Sequence, residues 1–560
     1  MASTSYSVLD EAERVFRGVL LDDERLGLPP KVREAADKTR FNVNAIQFPH
    51  LPSPLKWTES SAALWALAAT FGNAIAQERF GIVQGVTVNT DIAGLFLASS
   101  ALARVDGKPL SDPGLAERCQ KYDLGRMGNM WRRLCTNVYP TKDGRWFHLH
   151  GGMNADKSLA MLGLPKDRPD LTSFENVVRV FSDTVSKLDS EWLDTEANEH
   201  WRQAGVICLT PDEFAASEQG KATAPDPLFL MEQSDTDVLP PVPYPDVEND
   251  KRRPLEGLKL LDLSRVIAAP TIAKLAALFG ATVVRVSCAS QPDMGALLVD
   301  GNLGKRDVAL DLKGEEGRAA LRQLVGEADI VLDGYRPGAL ERLGFGANYL
   351  HATARRRGRG IVVVQENCYG WHGPLAGRSG WQQISDCVTG VSWLTGRFLG
   401  LDEPVVPALP NSDYQYGNPS SPHNRIVGLI GIMTAIDRRS LEGGNYTVDV
   451  SLTQYNQFLI SLGEYPRQVQ QDLRELHSGF SPRHYDDMMS LVGKALVSMK
   501  TATPRLFQPQ YFGSIGSNFG NGGARGKLTY LLPAATYETT KLGYDVGSCF
   551  LGMYEPVWPQ

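Results

Sequence analysis

The sequence is poor in cysteine and lacks the cysteine spacings that hold metals or disulfides. Only seven cysteines occur in 560 residues, and none of them forms a C-x-x-C pair. The one close histidine pair, His148 and His150 in WFHLHGG, has no third ligand nearby, whereas a zinc site needs three or four. An odd, scattered set of thiols is typical of a reducing compartment. The sequence therefore predicts a metal-free cytoplasmic protein with structural thiols and imidazoles.

Long apolar runs and an excess of basic residues are absent as well. No run reaches the roughly 18 apolar residues of a membrane-spanning helix, and the polar start MASTSYSVLDEAERVFRG lacks the apolar stretch of a signal peptide. The net charge is −7, whereas a nucleic-acid surface would be basic on balance. No Walker loop occurs in the chain, and no G-x-G-x-x-G precedes residue 239. These absences disfavour membranes, nucleic acids, ATP and NAD as partners.

A proline-rich, charged stretch, LPPVPYPDVENDKRRP, divides the chain into two compact regions. We predict an N-terminal extension at 1–40, a smaller α+β half at 41–238, a linker at 239–254, the main domain at 255–465 and a C-terminal region at 466–560. Within the last of these, the glycine-rich segment 513–527 favours a surface loop over a mobile lid.

After the linker, strand and helix patterns alternate. The segments LKLLDLS, ATVVRVS, KRDVALDLK, DIVLDGY and RGIVVVQE predict strands, and PTIAKLAALFG and GEEGRAALRQLVGEA predict helices between them. Continuous Val, Ile and Leu runs indicate a parallel sheet buried on both faces. The sequence thus predicts an α/β protein with a Rossmann-like, doubly wound parallel sheet, whose ligands would bind at the carboxyl ends of the strands.

Two stretches resemble each other. GVTVNTDIAGLFLASS at 85–100 is similar to NYTVDVSLTQYNQFLIS at 445–461, and each follows an apolar helical segment. We interpret this similarity as a partial internal duplication.

Basic residues recur near the predicted sheet. Lys305 and Arg306 begin one strand, Arg285 lies within another, Arg336 follows a third, and Arg342 lies on the next short helix. Phosphate groups need such fixed cations together with helix N-termini. For any single residue, solvated surface charge is the simpler interpretation, but as a set these cations suit a phosphate-bearing ligand.

Several motifs in fixed order resemble the class III CoA-transferase family, also called CaiB/BaiF. They are LEGLKLLDLSRVIAAPTIAKLAALFGATVVRVS, LGKRDVALDLKGEEGRAALRQLVGEADIVLDGYRPGALERLGF, IVVVQENCYGWHGPLAGRSGW, SDYQYG and VDVSLTQYNQFL. The similarity is dense over 255–465 and is strongest to a long fungal-type branch. It implies a CoA-transferase that moves CoA from an acyl-CoA thioester to a carboxylic acid, with CoA as substrate and no prosthetic group.

The resemblance also implies the positions that bind CoA. They are the first turn, Val266, Ile267 and Ala268, the Gly-Lys-Arg segment residue Lys305, the aromatic residue Tyr335, and the turn helix residues Arg342 and Leu343. The chain departs from the family pattern at Cys288, where a basic residue is common. It also has Ile267 where formyl and oxalyl members carry glutamine, which argues against formate or oxalate as acceptor.

The family's catalytic aspartate lies in a D-x-x-x-G stretch, which matches Asp413 and Gly417 in NSDYQYG. The segment NPSSPHN adds residues before the next helix, and an ungapped alignment would instead place Ser421 there. We predict Asp413 because serine cannot perform the same carboxylate exchange. An aspartate that merely caps a turn or helix is the structural alternative.

The family also contains α-methylacyl-CoA racemases, whose second base is a histidine in a Gly-His-Asp stretch. The matching residues are Gly380, Trp381 and Gln382, and tryptophan cannot accept a proton. The resemblance therefore favours a transferase over a racemase, and a CoA-binding protein without turnover is a third possibility.

The N-terminal half resembles the family's small domain through YPTKDGRWFHLHGG and TPDEF. Alignment of the duplicated strand places Ser61 at the position of the aspartate, with Glu59 nearby, so this half is expected to be catalytically empty. We expect it to complete the active site of the main domain. The resemblance implies a homodimer, although the duplication could let one chain imitate a pair.

Overall fold

The computed structural model describes residues 6–234, 239–247, 250–410, 425–520 and 525–559. None of the helices in these ranges is long and apolar enough to span a membrane.

The secondary structure alternates between helices and short strands. The helices before the linker are α1 Val8–Val15, α2 Pro30–Ala36, α3 Trp57–Phe80, α4 Thr90–Leu95, α5 Ser99–Leu102, α6 Pro113–Gln120, α7 Met130–Arg133, α8 Asp156–Met161, α9 Phe174–Val185, α10 Ser190–Thr195, α11 Pro211–Ala216 and α12 Glu218–Thr223. Those after it are α13 Ala268–Leu278, α14 Gly295–Gly301, α15 Glu315–Glu327, α16 Ala339–Arg342, α17 Ala347–Arg357, α18 Gln382–Val388, α19 Val391–Phe398, α20 Arg425–Glu442, α21 Leu452–Ser461, α22 Arg467–Leu476 and α23 Met488–Ala502. The strands are β1 Thr39–Phe41, β2 Val86–Val88, β3 Arg104–Val105, β4 Lys108–Pro109, β5 Asn137–Pro140, β6 Trp146–Leu149, β7 Gly205–Ile207, β8 Phe229–Gln233, β9 Lys259–Leu263, β10 Thr282–Ser287, β11 Lys305–Ala309, β12 Ile330–Asp333, β13 Val362–Asn367, β14 Tyr446–Ser451, β15 Phe512–Ser517, β16 Gly526–Leu531 and β17 Ala535–Tyr537.

The largest sheet has seven strands in the order β11-β10-β9-β12-β13-β14-β8. All neighbouring strands are parallel except β14 and β8, which are antiparallel. Numbered from β9 as the first strand, the parallel part has the order 3-2-1-4-5-6 of the dinucleotide-binding folds. The predicted Rossmann-like, doubly wound α/β fold is therefore confirmed.

Alternating residues of the central strands face two separate apolar cores. Val362 and Val364 of β13 belong to the larger core, whereas Val363 belongs to the core on the other face. Burial on both faces explains why these strands are continuous apolar runs without polar alternation.

The internal duplication appears as two helix–strand–helix units. The first is α3, β2 and α4, and the second is α20, β14 and α21. The long helix α3 is buried from Trp57 to Ala76 and packs against α20. This contact provides the partner surface that so apolar a helix needs.

The two halves of the chain exchange edge strands. The duplicated strand β14 lies between parallel β13 and antiparallel β8, and β8 comes from the N-terminal half. Its counterpart β2 lies between parallel β1 and antiparallel β17, and β17 comes from the end of the chain. Each half therefore supplies the last strand of the other half's sheet.

Two smaller sheets complete the fold. Strands β5, β6 and β7 form an antiparallel sheet within the smaller α+β half. Strands β15 and β16 pair as an antiparallel hairpin, and β16 also pairs with β3. The expectation of a plain surface loop at 513–527 was wrong for its two ends, because they pair in this sheet.

The linker packs closely against the N-terminal half. The guanidinium of Arg79, near the end of α3, donates hydrogen bonds to the carbonyl oxygens of Pro245, Pro254 and Glu256. The predicted linker at 239–254 is thus held against the N-terminal half by hydrogen bonds from Arg79.

Candidate functional site

The turn between β9 and α13 has a strained backbone. Val266 has a φ of +71°, a conformation that β-branched residues rarely adopt. The next residue, Ile267, is the N-cap of α13, which begins at Ala268. The turn after β12 lies against it so closely that a Cβ on Gly334 would be 2.5 Å from the Ala269 Cβ. The three residues predicted to wrap CoA therefore form a constrained turn that leads into a helix N-terminus, where backbone N–H groups favour anions.

Three arginines surround this turn at the carboxyl edge of the sheet. Arg265 lies within the turn, Arg336 follows β12, and Arg342 ends α16. Desolvation lowers the pKa of Arg336, and repulsion from the nearby guanidinium groups of Arg265 and Arg342 lowers it further. Arg336 and Arg342 are exposed, Arg265 is half-buried, and the described residues provide no salt bridge to any of the three. We call these residues the arginine cluster; its uncompensated charge suits a phosphate ligand.

Tyr335 lies beside Arg265 of this cluster, and Leu343 directly follows Arg342 in the chain. The Arg265 guanidinium is 5.6 Å from the centre of the Tyr335 ring. The backbone N–H of Tyr335 donates to the Asp333 carboxylate at 3.0 Å. Leu343 is half-buried and packs on the second core. The structure therefore brings together the predicted residues of both turns.

Lys305 and Arg285 lie elsewhere, inside the sheet. Lys305 is 0% exposed, and its Nζ is 2.8 Å from the Asp262 carboxylate. Burial lowers the pKa of Lys305 to about 8, although Asp262 acts in the opposite direction. Arg285 is also 0% exposed and pairs with Asp293 and Asp307. These cations therefore have carboxylate partners, and a contact between Lys305 and CoA stays a prediction.

Two buried acids lie under the same edge of the sheet. Desolvation raises the pKa of Asp333 to about 7 and raises the pKa of Glu366 well above its ordinary value. Glu366 is the penultimate residue of β13 and is 2% exposed. Neither of its carboxylate oxygens has a hydrogen-bond partner among the described residues. Neither acid could be recognised from the sequence, because the residues around a strand-end carboxylate do not reveal whether it is buried.

The smaller α+β half reaches this edge of the sheet. Arg336 donates from its guanidinium to the carbonyl oxygen of Arg202 at 3.2 Å. His150, just after β6, stacks on Trp381 with ring centres 4.5 Å apart. His148 and His150 lie side by side with ring centres 5.7 Å apart, as the strand alternation predicts. Burial lowers the pKa of His150 well below its ordinary value, so this imidazole is neutral.

Ser61 is the residue of the N-terminal half that matches the predicted aspartate in the internal duplication. Ser61 is buried, and its hydroxyl donates to the carbonyl oxygen of Ala93 at 2.7 Å. Glu59 is buried nearby and accepts hydrogen bonds of 2.8 Å from the phenols of Tyr6 and Tyr465. These hydrogen bonds tie the first residues and the end of the main domain to α3.

The predicted catalytic residues Asp413 and Gly417 lie outside the described residues, as does the alternative Ser421. The chain is described again from α20, which leads directly into β14. All seven cysteines are free, and no cluster of ligands arranged for a metal ion occurs in the described ranges.

Comparison with known proteins identifies the family. CoA-transferase family III matches residues 255–468. The acetyl-coenzyme A transferase nodX of Hypoxylon pulicicidum is 38% identical, over 100% of this chain and 94% of that protein. An acyl-CoA transferase of Gibberella moniliformis is 32% identical, over 76% of this chain and 75% of that protein. A solved CAIB/BAIF family protein from Brucella suis is 24% identical over 41% of this chain and 60% of that one, with a TM-score of 0.32. Because the similarity to the first relative extends over the whole chain, the protein belongs to CoA-transferase family III.

Proposed function

We propose that this CoA-transferase moves CoA from an acyl-CoA thioester to a carboxylic acid, with Asp413 as the nucleophile. The observation that carries the proposal is the arginine cluster, which has no salt bridge to a described carboxylate, beside the strained turn at Val266. This arrangement offers cations and helix N–H groups to the phosphates of CoA at the edge where doubly wound sheets bind ligands. The names of the two fungal relatives support acetyl-CoA or another acyl-CoA as donor.

A carboxylate nucleophile makes the exchange reversible. Asp413 attacks the thioester carbonyl, the C–S bond breaks, and CoA leaves as a thiolate while a mixed anhydride of Asp413 and the acyl group remains. The thiolate then attacks the aspartyl carbonyl, which releases the donor acid and leaves an aspartyl-CoA thioester. The acceptor carboxylate attacks this thioester, and the returning thiolate cleaves the second anhydride to give the new acyl-CoA and free Asp413. Backbone N–H groups near Gly417 would stabilise the oxyanions.

The position of Trp381 disfavours racemisation. In the family resemblance Trp381 matches the racemase histidine, and in the structure its indole stacks on His150. A racemase needs a second base on the opposite side of the α-carbon, and indole has no basic nitrogen. A CoA-binding protein without turnover is the remaining alternative, and the following experiment separates it from a transferase.

The test is incubation with acetyl-CoA, followed by intact-mass measurement and peptide mapping. We expect a covalent adduct on Asp413, and we expect Asp413→Asn to lose both the adduct and CoA transfer while its affinity for CoA changes only a few-fold. Asp402→Asn, which alters an exposed acid before the undescribed segment, is the control and should behave as wild type. Near-normal turnover in Asp413→Asn would show that another residue is the nucleophile. CoA binding without any adduct or turnover would support the pure binding protein.

The oligomeric state is a separate part of the proposal. We propose a homodimer from the family resemblance, to be measured by light scattering of the purified protein. A monomer with full activity would mean that the strand exchange within one chain takes the place of a second subunit.

A further inference from the structure

Glu366 is a buried acid for which the proposed mechanism has no use. It is 2% exposed, and its two oxygens lack hydrogen-bond partners in the described part of the chain. A polar group that is buried without a hydrogen-bond partner destabilises a fold. Buried groups of this kind are uncommon and concentrate at functional sites. A leucine at this position would avoid that cost, so the carboxyl group requires an explanation.

The position of Glu366 on β13 determines which way it points. Val362 and Val364 belong to the larger core, and side chains two residues apart share a face of a strand. Glu366 therefore lies on the face that carries α13 and α20. The backbone N–H of Ala269, in the first turn of α13, is close enough to Glu366 to favour its charged form, but it does not meet the geometry of a hydrogen bond. Glu366 thus lies directly beneath the turn that we propose to bind CoA.

The helix α20 approaches the same place. It leads into β14, which is the parallel neighbour of β13, so its first residues lie at the carboxyl edge of the sheet. In agreement, Arg439 near its other end contacts Asp329 and Gly360 at the amino edge. The segment with Asp413 immediately precedes α20 in the chain. The first described residues of α20 and the proposed CoA turn therefore lie at the same edge of the sheet as Glu366.

Few charges surround Glu366. Desolvation raises its pKa well above the ordinary value, and the nearby Asp333 carboxylate raises it further. No titratable side chain occurs on α13 before Lys274, which pairs with Asp300, or on α20 over residues 426–434. Such surroundings favour the protonated form of a carboxyl group, and this form can donate a hydrogen bond.

We propose that protonated Glu366 donates a hydrogen bond to the thioester carbonyl oxygen of the bound acyl-CoA. This oxygen gains negative charge when Asp413 attacks, and a fixed donor in a buried site stabilises that charge. The proton stays on Glu366 throughout, so this contact neither forms nor breaks a covalent bond. The inference rests on the proposed function and assigns a further residue to the same site.

Two substitutions distinguish hydrogen-bond donation by Glu366 from the effect of its side-chain shape. Glu366→Gln keeps a donor of similar size but cannot titrate, and Glu366→Leu removes the donor. With acetyl-CoA as substrate, we expect Glu366→Leu to lose about 100-fold in kcat, the usual effect of removing one oxyanion donor. Glu366→Gln should stay within about 10-fold of wild type. The Kd for free CoA, which has no thioester, should stay within about 3-fold in both variants.

The pH profile provides a readout that a structural role would not change. Wild-type kcat should fall as pH rises through the raised pKa of Glu366, whereas Glu366→Gln should lack this decline. Asp333→Asn tests whether the neighbouring acid causes the decline instead. Asp449→Asn is the matched control, because burial raises the pKa of Asp449 to about 7 on the opposite face of the adjacent strand.

Several results would overturn the inference. One is full activity in Glu366→Leu, and another is an unchanged pH decline in Glu366→Gln. Equal weakening of free CoA and acetyl-CoA binding would show that Glu366 only shapes the pocket. Failure of the proposed function would look different, because Asp413→Asn would then retain turnover or no variant would show any.

Discussion

The buried ion pair between Lys305 and Asp262 allows a quantitative prediction. Both side chains are 0% exposed, and Nζ lies 2.8 Å from the carboxylate oxygen. The Ser264 hydroxyl also donates to Asp262. Lys305→Met keeps most of the aliphatic stem but leaves the carboxylate buried without its cation. Breaking a buried pair in this way costs about 3–5 kcal/mol, so we expect the free energy of unfolding to fall by that amount.

The measurement is urea denaturation followed by fluorescence of the ten tryptophans. The midpoint should shift to lower urea with an unchanged slope if the loss is purely one of stability. Adding Asp262→Asn should recover most of the lost stability, because the asparagine amide carries no charge that needs a cation. Lys313→Met alters an exposed lysine after the same strand and should change stability by less than about 0.5 kcal/mol.

A Lys305→Met protein that is as stable as wild type, or that loses further stability when Asp262→Asn is added, would contradict this prediction. A calorimetric titration of the Lys305→Met/Asp262→Asn protein with CoA tests the other role of this lysine. The family resemblance predicts that losing a charged contact weakens CoA binding by about 1–3 kcal/mol. Unchanged affinity would limit Lys305 to its structural role.

Three further predictions concern the site and the architecture. Arg342→Ala should weaken CoA binding by about 1–3 kcal/mol, and wild-type protein should lose part of the same energy with dephospho-CoA. Arg356→Ala, at the far end of the sheet, should not change CoA binding. Equal calorimetric titrations for all proteins would show that the arginine cluster does not bind CoA. A 2-methylacyl-CoA should show no α-proton exchange in deuterated water, measured by NMR, and rapid exchange that depends on Asp413 would instead identify a racemase. A fragment of residues 251–560 should be insoluble or inactive, because β14 would lose its neighbour β8 and α20 would lose its packing partner α3. Co-expression of residues 1–250 should rescue the fragment. A soluble, fully active fragment would show that the N-terminal half is an accessory domain.

The main sheet could be predicted from local patterns. Strands β9 to β13 appear where Val, Ile and Leu runs alternate with helical segments, since burial on both faces demands such runs. Tyr335 and Arg336 lie beside Arg265, which directly precedes the predicted turn at Val266–Ala268, and Arg342 lies near Arg336. A strand followed by a helix places its connecting turn at the carboxyl edge, so chain order alone locates these residues.

The environment of each charge could not be predicted in the same way. Arg342 and Lys305 are both basic residues near strand ends, yet one is exposed without a salt bridge to a described residue and the other is buried against Asp262. Their difference depends on which side chains from distant segments lie nearby. Arg265 was overlooked for the same reason, because its position within the arginine cluster is visible only when β9 and β12 are neighbours.

Local sequence patterns were enough to predict the family, the order of strands and helices in the main domain, and the internal duplication. The folded chain was needed to reveal that the halves exchange β8 and β17, that His150 stacks on Trp381, and that Glu366 is buried without a hydrogen-bond partner among the described residues. Backbone hydrogen bonds between strands are the same for every sequence, so local patterns cannot specify which distant edge strand completes a sheet. Burial likewise depends on all segments that cover a residue, and those segments meet only in the folded chain.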